Sequence, residues 1–145
     1  MMGRAFRLIL AVVAGLLIGS AVNMSLIMVS GSVIPPPTGA DVTTTAGLKA
    51  SMHLFEPRHY LFPFLAHSLG TFVGSLVATL LSPNRISGPA FVVGFAFLLG
   101  GIASVYMLPA ARWFSALDLI AAYLPAAWLG HWLGSRKVAT AAGNT

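Results

Sequence analysis

Three polar side chains interrupt long apolar stretches of the sequence: Asn23, His67 and Asp118. A carboxylate inside a membrane is unfavourable without a partner, and an imidazole can supply the hydrogen bond. If the apolar stretches are helices, all three side chains lie roughly 8–11 Å below the same surface. We therefore predict a hydrogen bond between His67 and Asp118, with Asn23 adding donors. Such a cluster could be a proton or ion relay, a polar pocket reached from outside, or a clamp that fixes helix register.

A second set of residues could bind a metal ion: His53, Glu56 and His59, which have the spacing His-x-x-Glu-x-x-His. Glu-x-x-His binds metal in di-iron bundles, but those sites need two copies of the motif and further carboxylates. Pro57 follows the glutamate and indicates the first turn of a helix, where a negative charge is favoured. We predict no metal site here and keep the three residues as a weak candidate.

The sequence contains no other catalytic motif. The chain has no cysteine, so disulfides, thiolate metal sites and cysteine nucleophiles do not arise. It also has no phosphate-binding loop, no dinucleotide fingerprint and no zinc protease motif. We expect no enzymatic activity and no cofactor.

Composition indicates that the chain lies in a membrane. Of 145 residues, 57% are hydrophobic and 8% are charged, whereas soluble domains carry about 25% charged residues. The mean hydropathy is +0.88. The eight Lys and Arg residues are scattered rather than clustered, so we expect the lipid bilayer as a partner and no nucleic acid.

Four apolar segments are long enough to cross a bilayer, which takes about 20 helical residues. They cover residues 8–29, 60–81, 89–109 and 113–134. We predict an all-α fold with a single domain over residues 1–145, in which four transmembrane helices form a bundle. The outer loop, residues 30–59, is predicted to contain one short amphipathic helix, because Leu48, Met52 and Phe55 recur at helical spacing.

The first segment has two interpretations. Arg4 and Arg7 precede it and Gly19-Ser20-Ala21 resembles a cleavage site, which are features of a signal peptide. Its apolar stretch is nevertheless longer than a signal core of about 7–15 residues. We therefore favour an uncleaved span.

Small residues recur at every fourth position on three of the segments. In lipid, helices associate by close backbone packing along such faces. The residues predicted to make these contacts are Gly15 and Gly19, then Gly70 and Gly74, and lastly Ala122, Ala126 and Gly130. We expect them to serve mainly contacts inside one bundle, with a homo-oligomer or a larger membrane complex as the other uses.

Different classes of function are consistent with this pattern. We favour a structural or accessory membrane component that lacks catalytic activity and binds through its small-residue faces. The alternative is a small oligomeric transporter or channel, or an outward-facing binder of a small ligand, that uses Asn23, His67 and Asp118. Because the inner halves of the four segments are almost purely apolar, we expect no polar path across the membrane and rank transport second.

Several stretches of the sequence resemble one group of proteins. They are Pro35-Pro36-Pro37-Thr38-Gly39-Ala40-Asp41, then Ala66-His67-Ser68-Leu69-Gly70-Thr71-Phe72-Val73-Gly74, and then Pro109, Trp113-Phe114, Asp118 and Tyr123-Leu124-Pro125-Ala126-Ala127-Trp128-Leu129-Gly130. On these residues the chain resembles a widespread family of uncharacterised bacterial four-span membrane proteins. The resemblance implies the same topology but no activity. Similar proteins often carry an acid near the end of the first span, where this chain has Asn23 and Met24, and this departure weakens an ion-coupling role.

The distribution of basic residues predicts the side on which each end lies, because cytoplasmic loops are enriched in Lys and Arg. With both termini in the cytoplasm of a bacterium, five basic residues lie on the inner side and three on the outer side. The five are Arg4, Arg7, Arg85, Arg136 and Lys137, and the three are Lys49, Arg58 and Arg112. We therefore predict a multi-pass protein of the bacterial cytoplasmic membrane with both ends inside.

Single cysteines at Thr44 and Asn144 test this orientation, because the chain has no native cysteine. We expect a membrane-impermeant maleimide to label Thr44→Cys in intact spheroplasts and to label Asn144→Cys only after permeabilisation. Labelling of Asn144→Cys from outside would overturn the orientation.

Overall fold

The computed structural model describes residues 3–142, and the side-chain surroundings of residues 3–136. The described residues form helices joined by turns and loops. In chain order the α-helices are α1 Arg4–Val33, α2 Thr45–Ser51, α3 Leu61–Leu81, α4 Gly88–Met107, α5 Arg112–Ala121 and α6 Leu124–Ala142. Short 3₁₀ turns occur at Met52–Leu54, Pro57–Tyr60 and Pro83–Arg85.

Four helical stretches are long and apolar enough to cross a membrane. They are Arg4–Val33, Pro57–Leu81, Gly88–Met107 and Arg112–Arg136. This finding confirms the predicted all-α bundle of four apolar helices. The end of the bundle that carries the connection from α1 to α3 is here named the loop end, and the end that carries Pro83–Arg85 is named the turn end.

Helix α1 packs on α3 with the two backbones in direct contact. A Cβ atom added to Gly15 would lie 2.6 Å from the carbonyl oxygen of Gly74, and one added to Gly74 would lie 2.6 Å from that of Gly15. Gly19 and Gly70 face each other in the same way, with a Cβ on Gly19 at 2.6 Å from the Gly70 oxygen. Only glycine permits this approach, because any side chain would meet backbone that cannot move aside.

Helix α6 packs on the opposite side of α3. A Cβ atom added to Gly130 would lie 2.5 Å from the carbonyl oxygen of Phe72. Helix α6 also packs closely on α4, because a Cβ atom added to Gly94 of α4 would lie 2.5 Å from the Ala127 Cβ. Ala122 and Ala126 are buried. The small residues predicted to pack helices therefore make their contacts inside one monomer, with α3 at the centre.

The fourth span, predicted over residues 113–134, is divided into two helices. Helix α5 ends at Ala121 and α6 begins at Leu124. Pro125 explains the break, since proline lacks a backbone N–H and fits the first turn of a new helix. The Ala127 N–H donates to the Tyr123 carbonyl at 2.8 Å and starts the next run of helical hydrogen bonds. The break changes the direction in which the following side chains point.

The loop from α1 to α3 is ordered by its own polar residues. The Asp41 carboxylate accepts hydrogen bonds from the Thr43 N–H at 2.9 Å and the Thr43 hydroxyl at 2.6 Å. The Thr43 hydroxyl bond, followed by the Thr43 N–H bond, holds the pKa of Asp41 below its ordinary value. The Asp41 N–H donates to the Ser51 hydroxyl at 2.9 Å, and Thr44 caps α2 through the Gly47 N–H at 2.9 Å. A short helix is present here, but it ends at Ser51, where a 3₁₀ turn follows, so that Leu48 lies in it while Met52 and Phe55 lie beyond it.

The apolar side of this loop covers the loop end of the bundle. Met52, Tyr60 and Phe114 form a buried apolar cluster against which Leu48 and Phe55 pack. The Tyr60 and Phe114 rings stack with centroids 4.5 Å apart. The loop is thus attached to the N-terminal part of α5 and acts as a roof over the helices.

A pair of matched glycine substitutions tests the backbone contact between α1 and α3. We expect Gly74→Ala to lower the free energy of unfolding by about 1–3 kcal/mol, because the new methyl group overpacks the contact. Gly100→Ala in α4 is the control, since a Cβ there has nothing within 4 Å. The measurement is reversible unfolding in mixed micelles, and equal stabilities of the two variants would contradict the packing.

Candidate functional site

The candidate site is built around a buried carboxylate. Asp118 lies on α5, and only 3% of its surface is exposed. The His67 Nδ1 atom of α3 lies 2.9 Å from both carboxylate oxygens. When Asp118 is ionised it only accepts hydrogen bonds, and Nδ1 is then the donor. The predicted hydrogen bond between His67 and Asp118 is therefore present.

Tyr123 completes the hydrogen bonding of Asp118. Its hydroxyl donates to Oδ2 at 2.8 Å, and its ring stacks on the His67 ring at a centroid distance of 5.7 Å. Tyr123 is 1% exposed. A Cβ atom on Gly101 of α4 would overlap the Tyr123 ring, so this glycine provides the space that the tyrosine fills.

The sequence analysis missed Tyr123 for a geometric reason. In a continuous helix, residues three and four apart share a face, but residues five apart do not. Positions 118 and 123 meet because α5 and α6 are separate helices. In the sequence, Pro125 indicates this break, because proline interrupts helical hydrogen bonding and the side chains on its two sides then point in different directions.

Asn23 does not join this cluster. Its backbone and Cβ pack against Gly70, whose added Cβ would lie 3.0 Å from the Asn23 Cβ. Within residues 3–136, no hydrogen bond links the Asn23 side chain to His67 or Asp118. The expectation that Asn23 adds donors to the pair is thus wrong for this structure, because the close α1–α3 contact holds it against the α3 backbone.

A cavity of about 540 Å³ lies above the His67–Asp118 pair at the loop end. Residues of α1, α3, α4, α5 and the loop line this partly open space, and its wall is mostly apolar. Representative lining residues are Ile27 of α1, Met52 and Phe55 of the loop, Pro63 of α3, Val105 of α4 and Ser115 of α5. His67 and Asp118 also line this space. We name it the loop-end chamber.

His59 also lines the loop-end chamber, and it is 8% exposed. The Glu56 backbone N–H donates to its Nδ1 at 2.9 Å. Nδ1 is therefore an acceptor, and a neutral ring carries its proton on Nε2. That Nε2 atom is buried and has no hydrogen-bond partner among the described residues.

The weak metal candidate is not assembled as a ligand set. His53 is exposed and its Nδ1 contacts the Ala50 carbonyl at 2.8 Å, while Glu56 pairs with Arg58 at 3.0 Å on the surface. His59 alone of the three lines the chamber. The described part of the chain contains no group of three side chains that could hold a metal ion.

Helix α3 carries buried hydroxyl groups through its length. Thr71, Ser75 and Thr79 are fully buried, and Thr79 Oγ1 lies 3.3 Å from His131 Nδ1 near the turn end. The expectation of an almost purely apolar inner half is therefore wrong for α3. Each hydroxyl donates to a backbone carbonyl: Thr71 to His67, Ser75 to Ala90 and Thr79 to Ser75. These groups are satisfied within the bundle, and their spacing of four residues after His67 was visible in the sequence.

A comparison with known protein families, curated proteins and solved structures finds no match. The resemblance to bacterial four-span membrane proteins therefore stays a prediction. The function of the site has to be inferred from its own geometry.

The hydrogen bond from Tyr123 to Asp118 is tested by Tyr123→Phe. We expect the free energy of unfolding to fall by about 1 kcal/mol, since the carboxylate loses one of its donors. Tyr106→Phe is the matched control, because Tyr106 is 86% exposed. Unfolding in mixed micelles measures both variants, and a loss confined to Tyr106→Phe would contradict the assignment.

Proposed function

We propose that this small integral membrane protein binds a small, mostly apolar molecule in the loop-end chamber. The observation that carries the proposal is the chamber itself, whose mostly apolar wall includes the polar residues His59, His67 and Asp118. Its volume of about 540 Å³ lies within the range of about 300–1,000 Å³ that is typical of ligand sites. Such sites combine an apolar lining with a few placed polar groups, which is the composition found here.

The state of the polar groups supports binding of an uncharged molecule. Asp118 already accepts hydrogen bonds from His67 and Tyr123. None of the residues described around the chamber is a lysine or an arginine. An anionic ligand would therefore lack a counter-ion, and an unpaired buried charge is strongly unfavourable.

An accessory role has less support than ligand binding. That role depended on small-residue faces that remain free for a partner. Gly15, Gly74 and Gly130 instead contact backbone within the monomer. A homo-oligomer or a larger complex is not needed to explain these residues, and the proposal includes neither.

Transport by one monomer is also less well supported. Beyond the chamber toward the turn end, a Cβ on Gly130 would lie 2.5 Å from the Phe72 oxygen, and one on Gly134 would lie 2.9 Å from Thr79 Cγ2. Contacts this close leave no room for water between α3 and α6. The proposal is therefore binding from one side, without a catalytic step.

We further propose that the loop end faces outward from a bacterial cytoplasmic membrane. The basic residues favour this orientation. At the other end of the bundle, the Trp128 and Trp132 rings stack with centroids 6.3 Å apart, and the Arg136 guanidinium lies 3.6 Å from the Trp132 centroid. Aromatic and basic residues together are typical of a membrane interface on the cytoplasmic side.

Filling the chamber tests the proposed function. Ser115→Phe places a ring in the chamber, whereas Ala116→Phe places the same ring at an exposed position next to it. We expect Ser115→Phe to weaken binding of a decyl-substituted benzoquinone at least about tenfold, because the ligand loses its space. Fluorescence quenching of the native tryptophans in maltoside micelles measures the affinity. Equal affinities of the two variants and the wild type would overturn binding in the chamber.

A further inference from the structure

We propose that His67 anchors the ligand through its Nε2 atom, which accepts a hydrogen bond from a hydroxyl group of the ligand. This inference rests on the proposed function and names the ligand class for the same chamber. The class is an apolar molecule that carries an uncharged hydroxyl group. A phenol and an aliphatic alcohol both present this chemistry.

The first support is that the Nε2 atom of His67 is both unpaired and accessible. Among the described residues, the His67 ring makes its hydrogen bonds through Nδ1, to Asp118. The only buried side-chain nitrogen or oxygen without a partner in the described part of the chain belongs to His59. The unpaired Nε2 atom of His67 is therefore not buried, in agreement with a His67 side chain that is 22% exposed.

The second support is that the accessible edge of His67 faces the chamber. Leu69 and Leu80 are 42% and 38% exposed and mark the outer side of α3, because eleven residues make about three helical turns. Two helical residues are about 200° apart, so His67 projects from the side of α3 opposite Leu69. On that side His67 lines the chamber.

The third support is that the bond to Asp118 determines what Nε2 can do. Nδ1 lies 2.9 Å from both carboxylate oxygens. With Asp118 ionised, Nδ1 carries the proton, and a neutral imidazole then has its lone pair on Nε2. The ring therefore presents an acceptor to the chamber, and the matching group on a ligand is a donor.

This acceptor is held in place before a ligand arrives. The Nδ1 bond fixes one edge of the imidazole, and the Tyr123 ring stacks on it at a centroid distance of 5.7 Å. Tyr123 is itself 1% exposed and is packed on all sides. Preorganised groups contribute more to binding than groups that must first be ordered.

The surroundings restrict the donor to an uncharged group. An ammonium group would need a free counter-charge, but both oxygens of Asp118 already have a donor within 2.9 Å and only 3% of this residue is exposed. A charge without a partner is unfavourable beside a mostly apolar wall. An amide would bring a carbonyl oxygen that needs a donor of its own. A hydroxyl group is therefore the donor that best suits this wall.

Matched probes separate the hydroxyl proton from the apolar body. The aromatic set is para-octylphenol, para-fluoro-octylbenzene, in which fluorine replaces the hydroxyl group at similar size, and para-octylanisole, whose ether oxygen accepts but cannot donate. The aliphatic pair is decanol and fluorodecane. Calorimetry measures their affinities for the full-length protein in phosphatidylcholine nanodiscs, because this lipid carries no hydrogen-bond donor.

We expect the wild type to bind at least one hydroxyl probe about tenfold more tightly than its fluorinated counterpart. In His67→Asn, the amide N–H can replace Nδ1 as donor to Asp118, but nothing takes the place of Nε2, so the preference should vanish. His53→Asn should keep it, because His53 is exposed and lies outside the chamber. The comparison of probes on the wild type needs no variant, so it tests the proposal whatever the stability of His67→Asn.

Each result has a definite meaning. A preference for the phenol identifies an aromatic hydroxyl, and a preference for decanol identifies an aliphatic one. The His67 anchor is overturned if the fluorinated probes bind the wild type as tightly as the hydroxyl probes, if para-octylanisole binds as tightly as the phenol, or if His67→Asn keeps the preference. Binding in the chamber then still stands. If none of the probes binds the wild type, the proposed function itself is overturned.

Discussion

The carboxylate of Asp118 must have hydrogen-bond donors, because it is buried inside an apolar bundle. An unsatisfied charge in such a place is very costly. Helix α3 provides His67, and the break between α5 and α6 provides Tyr123. The position of α5 against α3 thus depends on this cluster, and so does the floor of the chamber.

Close backbone packing holds α1 and α6 against α3. Glycines bring α1 and α6 into direct contact with α3 at Gly15, Gly74 and Gly130. These contacts cannot slide or compress, since backbone atoms already touch. At the loop end, larger side chains such as Ile27 and Phe62 line the space between the helices instead. The helices are therefore in direct contact at these glycines and further apart at the loop end.

The loop covers part of the space at this end of the bundle. Its polar residues form a self-contained turn around Asp41, while Met52 and Tyr60 pack on Phe114 of α5. The same stretch brings His59 into the lining of the chamber, with its Nε2 buried and unpartnered among the described residues.

The sequence by itself determined the four spans, the helix-packing glycines and the pairing of His67 with Asp118. Hydropathy depends on composition, and packing faces depend on spacing within one helix, so both are readable without a structure. Only the tertiary structure decided that Tyr123 replaces Asn23 in the cluster and that His59 lines the chamber. Pro125 resets the helical phase after α5, and a 3₁₀ turn directs His59 inward. Side-chain directions beyond such breaks depend on how neighbouring helices pack, which spacing along the chain does not contain.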